Sequence, residues 1–300
     1  MKFALYQDSV IGGRSINQDR MGYSYTKDAL LLVVADGMGG HVKGEVAAQI
    51  ALQAIGALFH MYAKPAIAHP ISFLDEALRR GHREILRYQT ENNMPESPRT
   101  TIVVALVQNG LAWWAHAGDS RLYWVRGGKV LERTRDHSKV EAMVAMGLID
   151  ESEQDDHPER NKVFNCLGSP FEPTLEVSAG VQLQPGDFLL LCSDGVWGGF
   201  KDNDLIAPLA HAPLEKVVPE LVRKGTEKYG KGADNATAIA IQWEGAPSPN
   251  QQITEALPYG EVSTTIPEWA IAHAEMSGDV TDDDIEKAVR EIQEAIERTS

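Results

Sequence analysis

Hydrophobic and polar residues alternate along this chain in patterns that predict a mixture of strands and helices. Aromatic and β-branched residues are frequent in segments 2–9 and 21–26, and an unbroken apolar run fills 30–35, which is typical of strands. Apolar residues at helical spacing predict helices over 44–63 and 72–89. The second of these helices would begin with a serine, which is a favourable N-cap.

An antiparallel meander is predicted for the middle of the chain. Strand-like residues fill 100–107, 111–117 and 121–125, and Asn109-Gly110 between the first two of these strands is a favoured hairpin turn. Segment 134–170 differs, because it is polar, rich in acidic and histidine residues, and shows little strand periodicity. We interpret this segment as a surface flap beside a functional site.

Regular patterns return after the flap and then give way to an acidic tail. Further strands and helices are predicted over 187–193, 202–210, 213–229 and 235–243. Residues 246–300 contain 12 acidic and 3 basic residues, which is more than half of the net charge of −15. We therefore expect one domain over 1–245, followed by an acidic linker and C-terminal helical extension over 246–300.

The firmest helix of this extension is predicted over 281–298, where apolar residues form one stripe. The stripe is open to two interpretations. The helix is either a solvated terminal helix, or it docks onto its own domain or onto a partner.

Charge and composition argue against several classes of function and location. A net charge of −15 argues against nucleic-acid binding through a basic face. The two cysteines supply neither a disulfide framework nor the ligand spacing of a zinc site. No apolar run approaches 18 residues, and the N-terminal apolar stretch is too short for a signal peptide. We therefore expect no membrane-spanning helix and a cytoplasmic location.

Aspartates recur where predicted strands begin or end. Asp36, Asp119 and Asp194 each follow an apolar strand pattern, and Asp234 stands just before one. Carboxylates projected into one cleft would repel and raise each other's pKa, and divalent cations remove that cost. Carboxylate oxygens suit Mg²⁺ or Mn²⁺, and such ions support hydrolysis of phosphate esters. Arg14, in a glycine-flanked loop, is the candidate to hold the phosphate.

Five short motifs together carry a family resemblance. They are Arg14-Ser-Ile-Asn-Gln-Asp19, Asp36-Gly-Met-Gly-Gly-His41, Gly118-Asp-Ser-Arg121, Ser193-Asp-Gly195 and Asp234-Asn-Ala-Thr237. In this order, over residues 5–243, they resemble the bacterial branch of the type 2C (PPM) metal-dependent serine/threonine phosphatases. The resemblance implies an α+β fold, a four-layer α-β-β-α sandwich of two mostly antiparallel sheets flanked by helices, with a metal cleft at one end.

The resemblance also implies roles for individual residues. Asp36 would bridge two metals, the Gly37 carbonyl would join one of them, and Asp194 and Asp234 would bind the other. Asp119 would help to hold a third metal together with Asp194. The cofactors would be Mn²⁺ or Mg²⁺, with two core ions and a third.

The implied reaction is hydrolysis of phosphoserine and phosphothreonine in proteins by direct attack of a metal-bound hydroxide. Arg14 matches the phosphate-binding arginine of the family, and segment 134–170 matches the flap thought to influence substrate choice. The expected partner is a phosphorylated protein, with a bacterial serine/threonine kinase as the counterpart.

Two positions depart from the family pattern. Met38 stands where some members have a histidine proposed as general acid, so a water would have to protonate the leaving group; nearby His41 is better explained by a structural role. Gln18 stands where many members have a glutamate that contacts a metal through water, which predicts somewhat weaker metal binding. Asp19 is expected to orient a metal-bound water.

Other readings remain open from the residues alone. The chain could be a regulatory binding module that keeps the fold, or a hydrolase of small phosphoesters. His116 and His137 are proton carriers or, more simply, hydrogen-bonding structural residues. Arg121 contacts phosphate or pairs with a neighbouring carboxylate.

Overall fold

The computed structural model describes residues 1–38, 43–150, 153–154, 157–160 and 162–245. Within this part of the chain, two antiparallel sheets pack face to face, and helices cover the outer face of each sheet. The predicted linker and helix of the tail and the position of His41 lie outside the described residues.

The strands are short to medium in length and belong to two sheets. They are β1 (Lys2–Val10), β2 (Asp19–Tyr25), β3 (Ala29–Met38), β4 (Arg99–Thr100), β5 (Ile102–Gln108), β6 (Leu111–Ala117), β7 (Arg121–Arg126), β8 (Lys129–Arg133), β9 (Glu176–Val177), β10 (Val181–Gln182), β11 (Phe188–Cys192) and β12 (Ala236–Gly245). One sheet has the order β1-β12-β11-β7-β8. The other has the order β10-β6-β5-β3-β2, with β4 paired to β3 and β9 paired to β6.

The helices lie on both sides of this pair of sheets. They are α1 (Gly44–Tyr62), α2 (Pro70–Glu91), α3 (Lys139–Ala145), α4 (Asp194–Trp197), α5 (Asp202–Ile206) and α6 (Leu214–Glu227). Helices α1 and α2 pack on the seven-stranded sheet, and α5 and α6 pack on the five-stranded sheet.

Alternation along β3 explains why the molecule has layers. Leu30, Leu32 and Val34 face the other sheet, where they meet Leu189 and Ile239. The intervening residues of β3 face α1 and α2 instead. Because both faces of the central strands are buried, their sequences are almost uninterruptedly apolar. The predicted α-β-β-α sandwich is confirmed.

Two local predictions were wrong at helix ends. The second helix begins at Pro70 rather than Ser72, since proline at the first helical position has its φ already fixed and no N–H to leave unpaired. The helix predicted over 202–210 is a short α5 followed by a 3₁₀ turn over Ala207–Ala210. Pro208 lies in that turn, and proline cannot continue the α-helical hydrogen-bond ladder.

Among the described residues, every helix is too short or too polar to cross a membrane.

Candidate active site

Both sheets bring carboxylates to one end of the sandwich. Asp19 on β2 and Asp36 on β3 come from the seven-stranded sheet, and they are register partners. Asp194 directly follows Ser193 at the end of β11, and Asp234 lies just before β12, both in the five-stranded sheet. Asp119 lies in the connection between β6 and β7, where the chain passes from one sheet to the other. The five aspartates of the sequence motifs therefore meet at a single edge.

Asp36 does not lie at the tip of its strand, as the sequence pattern indicated. Strand β3 continues through Asp36 to Met38, because β4 adds a further pair of residues to it. The backbone of Asp36 is held on that side: Thr101 N–H donates to Asp36 O over 2.8 Å, and Thr100 Oγ1 donates to the same oxygen over 2.9 Å. The carboxylate is thus projected from a rigid strand rather than from a loop.

Asp19 is a buried carboxylate with incomplete hydrogen bonding. It is 4% exposed. Ser193 Oγ donates to its Oδ2 over 2.7 Å, while its Oδ1 has no hydrogen-bond partner among the described residues. Burial raises the pKa of Asp19 to about 6, in spite of the hydrogen bond from Ser193. A buried acceptor without a donor is costly, so this oxygen is suited to a cation or to a water bound to one.

Asp194 and Asp36 experience the same crowding. Burial, together with the charges of Asp234 and Asp19, raises the pKa of Asp194 to about 7. Asp194 Oδ1 is also buried without a partner in the described part of the chain. Burial and the charges of Asp19 and Asp194 raise the pKa of Asp36 well above its ordinary value. Within the described part of the chain, Asp19, Asp36 and Asp194 form no ion pair with a lysine or arginine side chain.

Asp119 is fixed by its backbone on the wall of the same cavity. Trp197 Nε1 donates to Asp119 O over 2.9 Å. Burial and the charge of Asp194 raise the pKa of Asp119 well above its ordinary value. The cavity is lined by Asp119, Asp194 and Asp234 together with Arg14, Arg121 and Arg160. Carboxylates and guanidinium groups therefore share one opening.

The loop that carries Arg14 is pressed against the loop that carries Asp234. Asn235 Nδ2 donates to Ile11 O over 2.8 Å and to Ile16 O over 3.0 Å, which ties down both ends of the Arg14 loop. Gly12 has φ +62°, and a Cβ there would lie 2.1 Å from Asp234 O, so only glycine fits. Arg14 Nη2 itself donates to Asp234 Oδ2 over 2.7 Å.

Gln18 and Gly37 both lie beside the start of α1. Asn235 Oδ1 accepts from Gln18 N over 2.8 Å, and Gln18 Nε2 donates to Glu45 Oε2 over 3.0 Å. The carboxylate absent at position 18 is thus present next to it, on the first turn of α1. Gly37 is buried against Gly44, where a Cβ on Gly37 would lie 2.3 Å from Gly44 O.

Arg121 forms the ion pair that was one of its two expected roles. Its Nε and Nη2 donate to the two carboxylate oxygens of Asp136 over 2.8 and 2.7 Å, and its guanidinium lies 3.4 Å from the ring centre of Trp197. His116 Nε2 lies 2.7 Å from Arg135 O, and His137 Nδ1 accepts from Gly118 N–H over 3.2 Å. Both histidines are buried and hydrogen-bonded to backbone, as the structural reading predicted.

The residues at this edge fit a cluster of hard divalent cations. The side-chain donors are carboxylate oxygens, and several of their pKa values are raised by burial and by mutual repulsion. Two buried oxygens lack partners among the described residues. Mg²⁺ and Mn²⁺ prefer this oxygen set, whereas zinc prefers sulfur and nitrogen ligands. The fit rests on the donor set, since the described carboxylates do not include three whose oxygens all lie within 4.8 Å of one another.

Sequence reasoning missed several residues that organise this edge. Ser193 and Asn235 were quoted only as parts of motifs, yet they position Asp19 and the Arg14 loop. Asp136 neutralises Arg121, and Arg160 reaches the cavity from the flap. The motif membership of Ser193 and Asn235 was an available signal. Nothing in the spacing indicated Asp136 or Arg160.

Comparison with known proteins agrees with this site. The protein phosphatase 2C family model matches residues 7–227. The serine/threonine protein phosphatase PstP of Mycobacterium tuberculosis is 32% identical over 227 residues, which is 75% of this chain and 42% of PstP. The serine/threonine phosphatase Stp of Listeria monocytogenes is 28% identical over 232 residues, covering 76% of this chain and 91% of Stp. This chain thus spans less than half the length of PstP.

A solved structure extends the likeness to three dimensions. The catalytic domain of a serine/threonine protein phosphatase PstP, crystallised in complex with two manganese ions, matches with a TM-score of 0.67. Sequence identity is 28%, and the match covers 80% of this chain and 97% of that one. With its layered sandwich, its edge of carboxylates and a family match over residues 7–227, the chain belongs to the protein phosphatase 2C family.

Proposed function

We propose that this chain is a metal-dependent phosphatase that removes phosphate from phosphoserine and phosphothreonine in proteins. The observation that carries the proposal is the carboxylate edge, where Asp19, Asp36, Asp119 and Asp194 all have raised pKa values beside the guanidinium of Arg14. The family match and the serine/threonine phosphatase names of the relatives support the substrate class. A serine/threonine kinase is the counterpart that would create such substrates.

Each site residue has a task in this proposal. Asp36, the Gly37 carbonyl, Asp194 and Asp234 would hold two core ions, and Asp119 with Asp194 would hold a third. When bound, Mn²⁺ or Mg²⁺ supplies positive charge that neutralises phosphoryl oxygens and acidifies a water molecule. Gln18 and Asp19 would orient water near the ions, and Glu45 would supply the negative charge that Gln18 lacks.

Arg14 binds the phosphate of the substrate. Its side chain is 57% exposed, and one nitrogen of its guanidinium is bound to Asp234, so other N–H groups of the fork remain accessible from the cavity. Binding of cations by Asp234 would weaken the attraction between these two side chains and free the fork for a dianion. The Met38 side chain has no acidic proton to donate, so a water molecule would protonate the leaving alkoxide.

Phosphate release from a phosphothreonine peptide, measured with and without Mn²⁺, tests the proposal. We expect turnover only with metal, and loss of turnover in Asp36→Asn and Asp194→Asn. The matched control is Glu132→Gln, which removes one negative charge from an exposed position. Faster hydrolysis of a small phosphoester than of the peptide under the same metal condition would contradict the substrate class, and an active Asp36→Ala variant would contradict the mechanism.

A further inference from the structure

The turn that bears Asp119 is fastened to the flap by a buried group of hydrogen bonds. His137 N–H donates to Gly118 O over 2.9 Å, and in return Gly118 N–H donates to His137 Nδ1 over 3.2 Å. One residue thus satisfies both backbone polar groups of Gly118. His137 lies at the start of the flap and is 6% exposed.

The far end of the flap joins the same group. Asn165 Nδ2 donates to His137 Nδ1 and to Thr174 O, each over 2.6 Å, and Thr174 N–H donates to Asn165 Oδ1 over 3.1 Å. Phe164 N–H donates to His137 O over 3.0 Å. We call Gly118, His137, Asn165 and Thr174 the His137 junction. It connects both stems of the flap to the residue before Asp119.

The junction fixes the tautomer of His137. Its Nδ1 receives two N–H donors, so the lone pair is there and the proton of the neutral ring is on Nε2. The two hydrogen bonds with Thr174 set the orientation of the Asn165 amide. A flipped amide would present its oxygen to His137, but it would lose both bonds with Thr174. His137 Nε2 faces Glu176 Oε1 at 3.3 Å.

This tautomer bears on a second possible role for the same residues. His116, His137 and Glu176 offer ligand atoms that all lie within 4.8 Å of one another, a spacing that would suit a metal ion. However, an ion bound at His137 Nε2 would have to displace the proton that the Nδ1 bonds keep there. His116 stacks on His137 with ring centres 4.6 Å apart, which packs the junction. The hydrogen bonds therefore favour a positioning role over a metal site.

We propose that His137 is a positioning residue for Asp119, a proposal that rests on the metal role of Asp119 in the proposed function. Gly118 has φ +116°, and a Cβ there would lie 2.5 Å from Thr101 Cβ, so the turn is tightly constrained on one side. His137 holds it on the other. With Trp197 Nε1 bound to Asp119 O, the backbone of the metal-binding residue is anchored from both directions.

Two substitutions at position 137 separate acceptor chemistry from packing. In His137→Asn the amide oxygen can take the place of Nδ1 and accept from Gly118. In His137→Gln the polar end reaches toward the position of Nε2, which leaves the N–H of Gly118 without its acceptor. Mn²⁺ binding measured by calorimetry, together with the Mn²⁺ concentration for half-maximal turnover, reports on the ion that Asp119 holds.

We expect His137→Gln to weaken the Mn²⁺ site to which Asp119 contributes by about 10- to 100-fold, the range seen when residues that support metal ligands are changed. His137→Asn and Glu176→Gln keep an acceptor for the N–H of Gly118, so both should bind Mn²⁺ like the wild type. The control Glu132→Gln should do so as well. Equal losses in the Asn and Gln variants, or no loss in either, would overturn the proposal.

The remaining outcomes are also decisive. A high-affinity Zn²⁺ site that is lost in Glu176→Gln would assign the three side chains to metal binding and overturn the positioning role. If His137→Gln fails to fold, the Asn and Glu176 variants still decide, since weak Mn²⁺ binding in either one contradicts the proposal. A wild-type protein that neither binds Mn²⁺ nor turns over substrate would instead refute the proposed function.

Discussion

The two ends of β11 treat their carboxylates in opposite ways. Asp187 comes just before the strand and is 1% exposed, yet it accepts hydrogen bonds from Arg126 Nε and Nη2, from Trp124 Nε1 and from Gln184 N–H. Burial alone would raise its pKa, but these donors outweigh burial, and the pKa of Asp187 is lowered. Asp194, just after the strand, has neighbouring carboxylates instead, and its pKa is raised to about 7.

This contrast separates a carboxylate that is neutralised by its neighbours from one that is not. Both residues flank the same rigid strand, with Asp187 buried and Asp194 half-buried on the wall of the cavity. The difference lies in their neighbours: the Asp187 end contains a guanidinium in bidentate contact, whereas the Asp194 end gathers further aspartates. A protein keeps uncompensated charge at one place when an ion or substrate is to neutralise it.

The largest effect is expected from removing a carboxylate at the crowded end. Asp194→Asn should lower Mn²⁺-dependent turnover by at least about 100-fold, because a metal ligand is lost. The same change should raise the melting temperature of the metal-free protein, because one repelling charge is gone. Steady-state kinetics and thermal melting in a chelator measure the two effects. Turnover equal to that of Glu132→Gln would refute the metal role.

At the other end of β11, Asp187→Ala should lower the stability of the protein and leave its turnover unchanged. Removal of the acceptor leaves the half-buried donors of Arg126 and Trp124 and the N–H of Gln184 without this partner, and hydrogen bonds to a charged group are worth about 1.5–3 kcal/mol of unfolding free energy. Urea denaturation would measure the loss. Turnover per folded molecule should stay unchanged, and a strong fall in turnover without a fall in stability would contradict the structural assignment.

A change of pH should alter the stability contributed by the carboxylates at the two ends of β11 in opposite directions. At the crowded end, Asp19 and Asp194 have folded-state pKa values of about 6 and about 7, above the ordinary value of 3.8. Between these limits the native state binds more protons than the unfolded state, so metal-free stability should fall as pH rises from about 4 to 7. The lowered pKa of Asp187 contributes stability that is lost only as pH falls below the ordinary range of a carboxyl.

Mn²⁺ should cancel the loss at neutral pH, since an ion at 100 times its dissociation constant adds about 2.7 kcal/mol of stability. Melting curves at several pH values, with and without Mn²⁺, measure this. The contradicting result would be that the metal-free wild type and metal-free Asp194→Asn both become more stable from pH 5 to pH 7. In that case the crowded carboxylates would not control stability.

The smallest effect on stability is expected at Arg14. Its ion pair with Asp234 is exposed, and such pairs contribute about 0–1 kcal/mol. Arg14→Lys keeps the charge but loses the planar fork, so kcat/KM for a phosphopeptide should fall by roughly 10-fold or more while the melting temperature stays constant. An unchanged kcat/KM would exclude Arg14 from phosphate binding.

Much of the fold was predictable because local patterns agree with the tertiary structure. The buried strand around Leu31, the Asn109-Gly110 hairpin and helix α1 all follow from periodicity and turn chemistry. Short strands such as β9 and β10 were not predicted, since two residues carry no period and depend on pairing with β6. The start of α2 was misplaced because a serine cap signal competed with Pro70.

The candidate site was predictable in membership but not in electrostatics. The five motifs named the aspartates, Arg14 and Gln18, but Asp36 was placed at a strand tip because β4 gives no sequence signal of its own. The partnership of Gln18 with Glu45 joins a motif residue to a residue of α1 outside the motifs, and that of Arg121 with Asp136 spans the β7–β8 hairpin. Spacing along the chain does not reveal such contacts.

The longer strands, the order of the motifs and the family could be predicted from the sequence, because they depend on residue type and short-range periodicity. Which carboxylates are neutralised by neighbouring groups became visible only in the folded chain. Ser193 donates to Asp19 across 174 positions, while Arg126 reaches Asp187 at the opposite end of the sheet. The charge state of a carboxyl depends on donors and charges within a few ångströms, and folding alone sets those distances.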